Sequence, residues 1–442
     1  MPTTRCFSLT HSTGTPHRQA LSGSAADART AQATLAPVDP EEMGPLMFRP
    51  AADATVGLDI APVPTPALVA DYLAEHTATA AHELWPTSAV QLGPVVPSVT
   101  SHVQQLTVDG ETVYAKSELL GMSLVSVVRG RGGDWPTARA AQRAYLARPG
   151  TLLEREADQL RVLAAAGLRV PKVLGSRPGV LFTEYVRGVT LAEIVAASPG
   201  RTADLLHLVR QELAPVLRSP DVVALVDRAP IVERAVPGTF LRKFSGINGA
   251  VYLGQLPYGN LLRDIVLRLR RAHASATFTS SRPVVFGDLK PEHVLFPSDG
   301  GRPSFIDPGL MRNPPCADLA KLLSRLFLDL VACRPGEDAV RVVLEQAAVH
   351  TEVAAAHLSA PEESALLRQL VALWLMDTTN ILTTYLSHPT GLPMPRVGAA
   401  VVAEAGAVCR TLDLCTSALV PLRSGRDLWR LCLSHVAQAA TR

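Results

Sequence analysis

Val284-Val285-Phe286-Gly287-Asp288-Leu289-Lys290-Pro291-Glu292-His293-Val294-Leu295-Phe296, then Phe305-Ile306-Asp307-Pro308-Gly309, is the stretch on which the reading of this chain turns. An apolar triplet runs into an aspartate. A second apolar triplet follows, and a short apolar pair then ends in another aspartate, 19 residues after the first. Short apolar runs bounded by polar loop residues read as the strands of a small hairpin. Such a hairpin carries two carboxylates on neighbouring loops. Phosphoryl transfer asks for that arrangement: one carboxylate faces the attacking hydroxyl and the other holds a metal ion on nucleotide phosphates.

Outward from this stretch, the composition bounds the answer. The 442 residues suffice for two or three domain-sized units, and with 47% hydrophobic and 19% charged residues most of the chain should fold. A formal net charge of +2 gives no electrostatic case for nucleic acid or for an anionic membrane. Local clusters such as Arg268, Arg270 and Arg271 fit the solvated face of a helix. The cysteines (Cys6, Cys316, Cys333, Cys409, Cys415, Cys432) form no CxxC pair, and histidines do not cluster near them at zinc-ligand spacing. They read as buried, reduced thiols. The N-terminus has no apolar core of a secretory signal. No apolar stretch reaches the roughly 20 residues a bilayer requires, and Gly398–Val408 is broken by Glu404. The expectation is a soluble, cytoplasmic protein with no nucleic-acid or membrane partner.

Residues 1–60, rich in Thr, Ala, Ser and Pro without a clean period, read as a disordered tail, with Met43 or Met47 as alternative starts. Ser101–Val108 and Thr112–Leu119 read as strands joined by Asp109-Gly110, a strong hairpin signal. Lys116 shares one face of the second strand with Thr112 and Tyr114. Leu153, Ala157, Leu160 and Ala164 mark a helix that Gly167 and Pro171 end. Val180–Val186 reads as a strand, and Thr190-Leu191-Ala192-Glu193 as a capped helix start. Beyond residue 190 the pattern is helical, at roughly 201–217, 259–275, 316–333, 336–350, 362–387, 396–420 and 424–440, interrupted by the strand-rich island 283–310.

Over about residues 95–325, the order of elements together with these residues resembles the aminoglycoside phosphotransferase branch of the protein-kinase-like superfamily. The resemblance implies an α+β, two-lobed fold with a small antiparallel-sheet N-lobe (61–186) and a large, mainly helical C-lobe (187–442). Carried over position by position, Lys116 in Val113-Tyr114-Ala115-Lys116 matches the phosphate-contacting lysine. Glu156 matches the helix glutamate that orients it, with Glu154 as the competitor. Ser98 and Ser101 lie just ahead of the first strand and match the nucleotide-covering loop by position. Glu184 and Val186 in Glu184-Tyr185-Val186 match the linker whose backbone meets the nucleotide base. Asp288 matches the catalytic aspartate, Lys290 could neutralise charge on the moving phosphoryl group, and Asp307 matches the metal-binding aspartate. Asp318 matches an aspartate that buttresses the catalytic loop, although a helix N-cap accounts for it equally well. His273 resembles a structural histidine ahead of that loop. The implied cofactors are ATP or GTP with Mg²⁺ or Mn²⁺.

Three positions depart from the pattern. Phe286 replaces a histidine, Pro308 replaces an apolar or aromatic residue, and His293 stands where the family keeps a metal-binding asparagine. An imidazole nitrogen is a softer ligand than an amide oxygen and suits Mn²⁺ or other transition metals better than Mg²⁺. His293 is therefore an unusual metal ligand, or the site runs on one metal held by Asp307, or the protein is an inactive relative. The leading expectation is a kinase that phosphorylates a hydroxyl of a small molecule, such as an antibiotic-like natural product or a metabolite. The alternative is a catalytically inactive kinase-fold regulator or scaffold. A protein kinase fits less well, because Gly287 stands where an arginine precedes the catalytic aspartate and no Ala-Pro-Glu-like segment follows Asp307.

Overall fold

The computed structural model describes residues 63–98, 101–275, 281–419 and 424–442. The expected N-terminal tail and Cys6 lie outside them. The described chain opens with helix α1 (Pro66–Leu84), capped by Thr65. Strands β1 (Val90–Val96), β2 (His102–Val108) and β3 (Glu111–Ser117) follow. Then come helices α2 (Leu124–Val128), α3 (Trp135–Leu146) and α4 (Leu152–Ala165), and strands β4 (Val173–Arg177) and β5 (Val180–Glu184). These five strands make one antiparallel sheet in the order β1-β2-β3-β5-β4. The β2–β3 turn uses Asp109 and Gly110 at φ 49° and 90°, the left-handed pair that a tight hairpin needs.

The sequence pattern showed three of these strands and missed β1 and β4. Gly93-Pro94 interrupts β1, and its register slips between Leu92 and Val95. A proline that cannot donate to a ladder is tolerated there because β1 lies at the sheet edge. One expectation is thereby corrected. Ser98 and Ser101 do not precede the first strand; they stand between β1 and β2.

Beyond the sheet lie β6 (Val189–Thr190) and α5 (Leu191–Ala197), the latter entered through a Thr190–Glu193 capping box. Next are α6 (Thr202–Val216), α7 (Pro220–Arg228), α8 (Val236–Phe244), α9 (Gly246–Gly254) and α10 (Gly259–Ser275). Four short strands follow: β7 (Val284–Val285), β8 (Val294–Phe296), β9 (Ser304–Phe305) and β10 (Met311–Arg312). The chain closes with α11 (Ala317–Cys333), α12 (Glu337–Ala355), α13 (Ala360–Leu386), α14 (Arg396–Ala403), α15 (Ala405–Ala418) and α16 (Gly425–Thr441). The arrangement is the expected one, a small antiparallel-sheet lobe and a large helical lobe. The helix expected over 396–420 is two, broken at Glu404, whose φ of −100° and ψ of 17° interrupt the helical path. Among the described cysteines, none is disulfide-bonded; Cys316, Cys409, Cys415 and Cys432 are buried as expected, whereas Cys333 is exposed at the end of α11. Among the described residues no helix is long and apolar enough to cross a membrane.

The helical lobe is organised around α13, nearly all of whose second half is buried. Trp374 of α13 meets Phe327 of α11 edge-on at 5.1 Å and Trp429 of α16 at 6.1 Å. All three rings are buried. Trp429→Ala should cost about 3–5 kcal/mol, the usual loss for truncating a buried aromatic. Urea unfolding followed by circular dichroism would measure it.

Candidate functional site

Two short ladders set the geometry. β8 pairs with β9, and the Ile306 N–H extends that ladder to the His293 carbonyl (3.0 Å). β7 pairs with β10, and the Gly309 N–H extends it to the Phe286 carbonyl (2.9 Å). The first places His293 beside Ile306-Asp307; the second places Phe286-Gly287-Asp288 beside Gly309. The two aspartates are thus drawn to one place by backbone pairing. Gly287 is obligatory in this arrangement. Its φ is +83°, and a Cβ there would lie 2.0 Å from the Gly309 carbonyl.

α11 braces the first loop from below. The Asp318 carboxylate accepts the N–H groups of Phe286 and Gly287, each at 2.7 Å. Asp318 is therefore a buttress and not the helix cap, a place taken by Cys316. Burial pushes its pKa up to about 6 against the pull of the two N–H bonds, so it is ionised at neutral pH.

Asp288 is buried, and both of its carboxylate oxygens meet ammonium groups: Lys321 Nζ at 2.5 Å and Lys290 Nζ at 3.0 Å. Burial alone would raise its pKa, but Lys290, Lys321, the His293 ring and Arg234 outweigh it and hold the carboxyl well below its ordinary value. Asp307 is a third exposed and meets Lys116 Nζ at 2.9 Å. Against burial, Lys116, the His293 ring and Arg234 likewise depress its pKa. Its φ of 55° is left-handed, which costs a non-glycine residue about 1–2 kcal/mol.

Lys116 completes the expected pair with α4. Its Nζ donates to both oxygens of Glu156, at 2.8 and 3.1 Å. The competitor Glu154 is engaged elsewhere: it closes a capping box with Thr151 and accepts the Gly150 N–H at 2.7 Å. Burial pulls the Lys116 pKa down, but Asp307 and Glu156 more than restore it, so it stays charged.

His293 stands between the two aspartates. Its Nδ1 lies 2.9 Å from the Asp288 backbone carbonyl, which can only accept, so Nδ1 carries the hydrogen. Burial, with Lys290 adding to it, lowers the ring's pKa to about 4, and the ring is neutral. Its Nε2 then presents a lone pair toward Asp307 Oδ2, 3.7 Å away. A neutral imidazole nitrogen and a carboxylate oxygen facing each other across this gap are donors that a divalent cation can share after a small side-chain adjustment. Among the described residues no group of three or more His, Cys, Asp and Glu side chains forms a ready metal cage. The rest of a coordination shell would come from phosphate oxygens and water, as is usual for Mg²⁺.

The remaining expected residues are spread along the sheet. The pairing Val103↔Lys116 puts Ser101, whose N–H donates to Ser98 Oγ (3.4 Å), at the Lys116 end of β3. Glu184 pairs with Val113, three positions along the strand from Lys116, a span of about 10 Å. Val186 follows in the segment leading to β6, while Tyr185 packs edge-on against Tyr114 at 5.4 Å. None of these four joins the charge cluster.

Two members of that cluster were missed in the sequence. Lys321 belongs to the polar stripe Asp318, Lys321, Arg325, Asp329, which runs at helical spacing along an otherwise apolar α11 and could have been read as a functional face. Arg234, in the 3-10 turn Val232–Arg234 before α8, pairs with Glu156 and gives no sequence signal.

Comparison with known proteins extends the picture. The model of a family described as "Phosphotransferase enzyme family" matches residues 137–358, from α3 through the hairpin to α12. Lys116 and the first three strands lie ahead of the matched residues. No curated protein matches. Among solved structures, an ethanolamine kinase of Plasmodium vivax is similar at 12% identity and a TM-score of 0.44, over 78% of this chain and 90% of that one. An aminoglycoside-3'-phosphotransferase of type VIII is similar at 21% identity and a TM-score of 0.40, over 67% and 99%. A choline/ethanolamine kinase family protein of Mesorhizobium loti is similar at 17% identity and a TM-score of 0.43, over 78% and 93%.

The depressed His293 pKa has a consequence for stability. As pH falls below 6.5 the unfolded chain protonates this ring, while the folded chain resists down to about 4. Its contribution is therefore present above pH 6.5 and lost between 6.5 and 4. In metal-free buffer the melting temperature of the wild type should fall more steeply across that window than that of His293→Asn. Parallel slopes in differential scanning fluorimetry would contradict the assignment.

Proposed function

The chain belongs to the phosphotransferase enzyme family, and from that premise we propose that it transfers the terminal phosphoryl group of ATP or GTP to a hydroxyl of a small molecule. The observation that carries this reading is Lys116, held between Glu156 and Asp307 within 3 Å of each, with Asp288 on the other side of His293. We take 61–186 as the nucleotide-covering lobe and 187–442 as the lobe that presents the acceptor.

The base would lie against the backbone of Glu184–Val186, and the phosphates would extend along β3 toward Ser98 and Ser101. The span of about 10 Å between Glu184 and Lys116 suits the length of a nucleoside. Lys116 would give its ammonium to phosphate oxygens while Glu156 keeps it aimed. Asp307 and His293 Nε2 would hold the divalent cation, whose charge offsets that of the phosphates. Asp288 would orient the acceptor hydroxyl and take its proton as the oxygen bonds to phosphorus and the bond to the departing nucleoside diphosphate breaks. Its depressed pKa makes it a weak base, so orientation comes first and proton uptake late. Lys290, already at Asp288, would balance charge on the phosphoryl group.

Calorimetric titration of ATP, then GTP, with Mg²⁺, with Mn²⁺ and with chelator is the direct test, since it needs no acceptor. Metal-dependent binding is expected, and absence of binding under every condition would remove the kinase reading. Asp307→Ala should abolish the metal dependence. Asp288→Ala should leave nucleotide affinity within a few-fold and lower turnover by about 10²–10⁴ once an acceptor is found. His293→Asn replaces nitrogen by oxygen at the cation and should move the preference about tenfold from Mn²⁺ toward Mg²⁺. Competition titrations of the two metals against one nucleotide would read that shift.

A further inference from the structure

Arg234 has no counterpart among the motifs, yet more of the site leans on it than on any other side chain missed in the sequence. Its side chain is largely buried. One guanidinium nitrogen pairs with Glu156 Oε2; another donates to the backbone carbonyls of Asp307 (3.1 Å) and Pro308 (2.5 Å). Its stem crosses Gly309 so closely that a Cβ there would lie 2.8 Å from Arg234 Cδ. The glycine after Pro308 thus leaves room for this arginine.

The turn that carries Arg234 is itself pinned. Glu233 pairs with Arg155 at 2.5 Å, so that Arg155-Glu156 of α4 faces Glu233-Arg234 in a crossed double ion pair. The Ile231 N–H donates to the Leu310 carbonyl (3.0 Å), while Gln159 of α4 accepts the Leu310 N–H (2.7 Å). Among the described residues of this corner, Arg234 alone reaches both the lysine-orienting glutamate and the backbone under Asp307.

We propose that Arg234 is a positioning residue that locks Glu156 and the Asp307-Pro308 backbone into one unit, so that the Asp307 carboxylate and the Lys116 ammonium are set in place before nucleotide arrives. The nucleotide part of this rests on the kinase reading; the locking of the loop does not. When phosphate draws on Lys116, Arg234 stays behind to balance the buried charge of Glu156. A buried carboxylate left without a cation would otherwise hold Lys116 back. A lysine cannot replace this arginine, because one ammonium does not offer the planar fork that spans a carboxylate and two carbonyls.

The test is hydrogen–deuterium exchange of the full chain over residues 305–311, together with calorimetric binding of ADP with Mn²⁺. It compares the wild type with Arg234→Met, Arg234→Lys and Glu233→Gln. Arg234→Met is expected to speed exchange at Gly309 and Leu310 about tenfold or more and to weaken ADP–Mn²⁺ about tenfold. Arg234→Lys, which keeps the charge and guards against a variant that fails to fold, is expected to free the loop nearly as much while losing less affinity. Glu233→Gln loosens only the pin on the turn and is expected to open this segment clearly less than either Arg234 variant. Unchanged exchange in both Arg234 variants, or equal opening in Glu233→Gln, would overturn the proposal and reduce Arg234 to a helix-docking contact. A wild type that binds no nucleotide would sink the kinase reading, while the exchange comparison still decides the role of Arg234.

Discussion

Four buried or half-buried charges hold this site together: Lys116 and Arg234 against Glu156 and Asp307. They come from a strand, a 3-10 turn, a helix and a hairpin loop, and their formal charges cancel. Low-dielectric surroundings make that cancellation compulsory. Stranding one member of such a set costs about 3–5 kcal/mol, because its partner is left charged and uncompensated. Sheet, helix α4 and hairpin must therefore sit in one mutual arrangement for the charges to be satisfied. The strained φ at Asp307 is tolerated within the same constraint, with its carbonyl held by Arg234 and its carboxylate by Lys116.

A second constraint runs along α11. Asp318 fixes the backbone of Phe286 and Gly287, Lys321 meets the Asp288 carboxylate, and Arg325 pairs with Asp377 of α13 at 3.3 Å. One helical stripe thus ties the Phe286–Asp288 loop to the core of the large lobe, where Phe327 on the same helix packs against Trp374. The loop is held from two sides, by ladder hydrogen bonds above and by this stripe below. The same loop supplies the Asp288 carbonyl to which His293 Nδ1 donates and which thereby selects the ring's tautomer.

Much of this was legible in the residues. The Asp-Gly hairpin, the capping box at Thr190, most of the helical periods after residue 200 and the two aspartates in apolar brackets all depend on near neighbours and appear where the pattern put them, whereas the period over 396–420 hid the break at Glu404. Some elements escaped despite such marks, α1 behind Thr65-Pro66 and α3 behind Asp134; others lack them. β1 is cut by Gly93-Pro94 and held by its pairing with β2, and α7, α8 and α9 are short segments placed by packing. Lys321 carried a readable sign in the polar stripe of α11. Arg234 carried none, because its role depends on partners far away in the chain.

By itself the sequence determined the short-range features, because strand alternation, helix period and turn chemistry depend on near neighbours, and it offered candidate side chains that did not include Lys321 or Arg234. It left Glu154 and Glu156 as rivals and the role of His293 open. Only the tertiary structure decided that Glu156 reaches Lys116 across 40 residues and Arg234 across 78. It also decided that the free nitrogen of His293 faces Asp307. Those choices depend on where separate elements come to rest, and that is set by the joint requirement to bury apolar faces and to leave no buried charge unpaired.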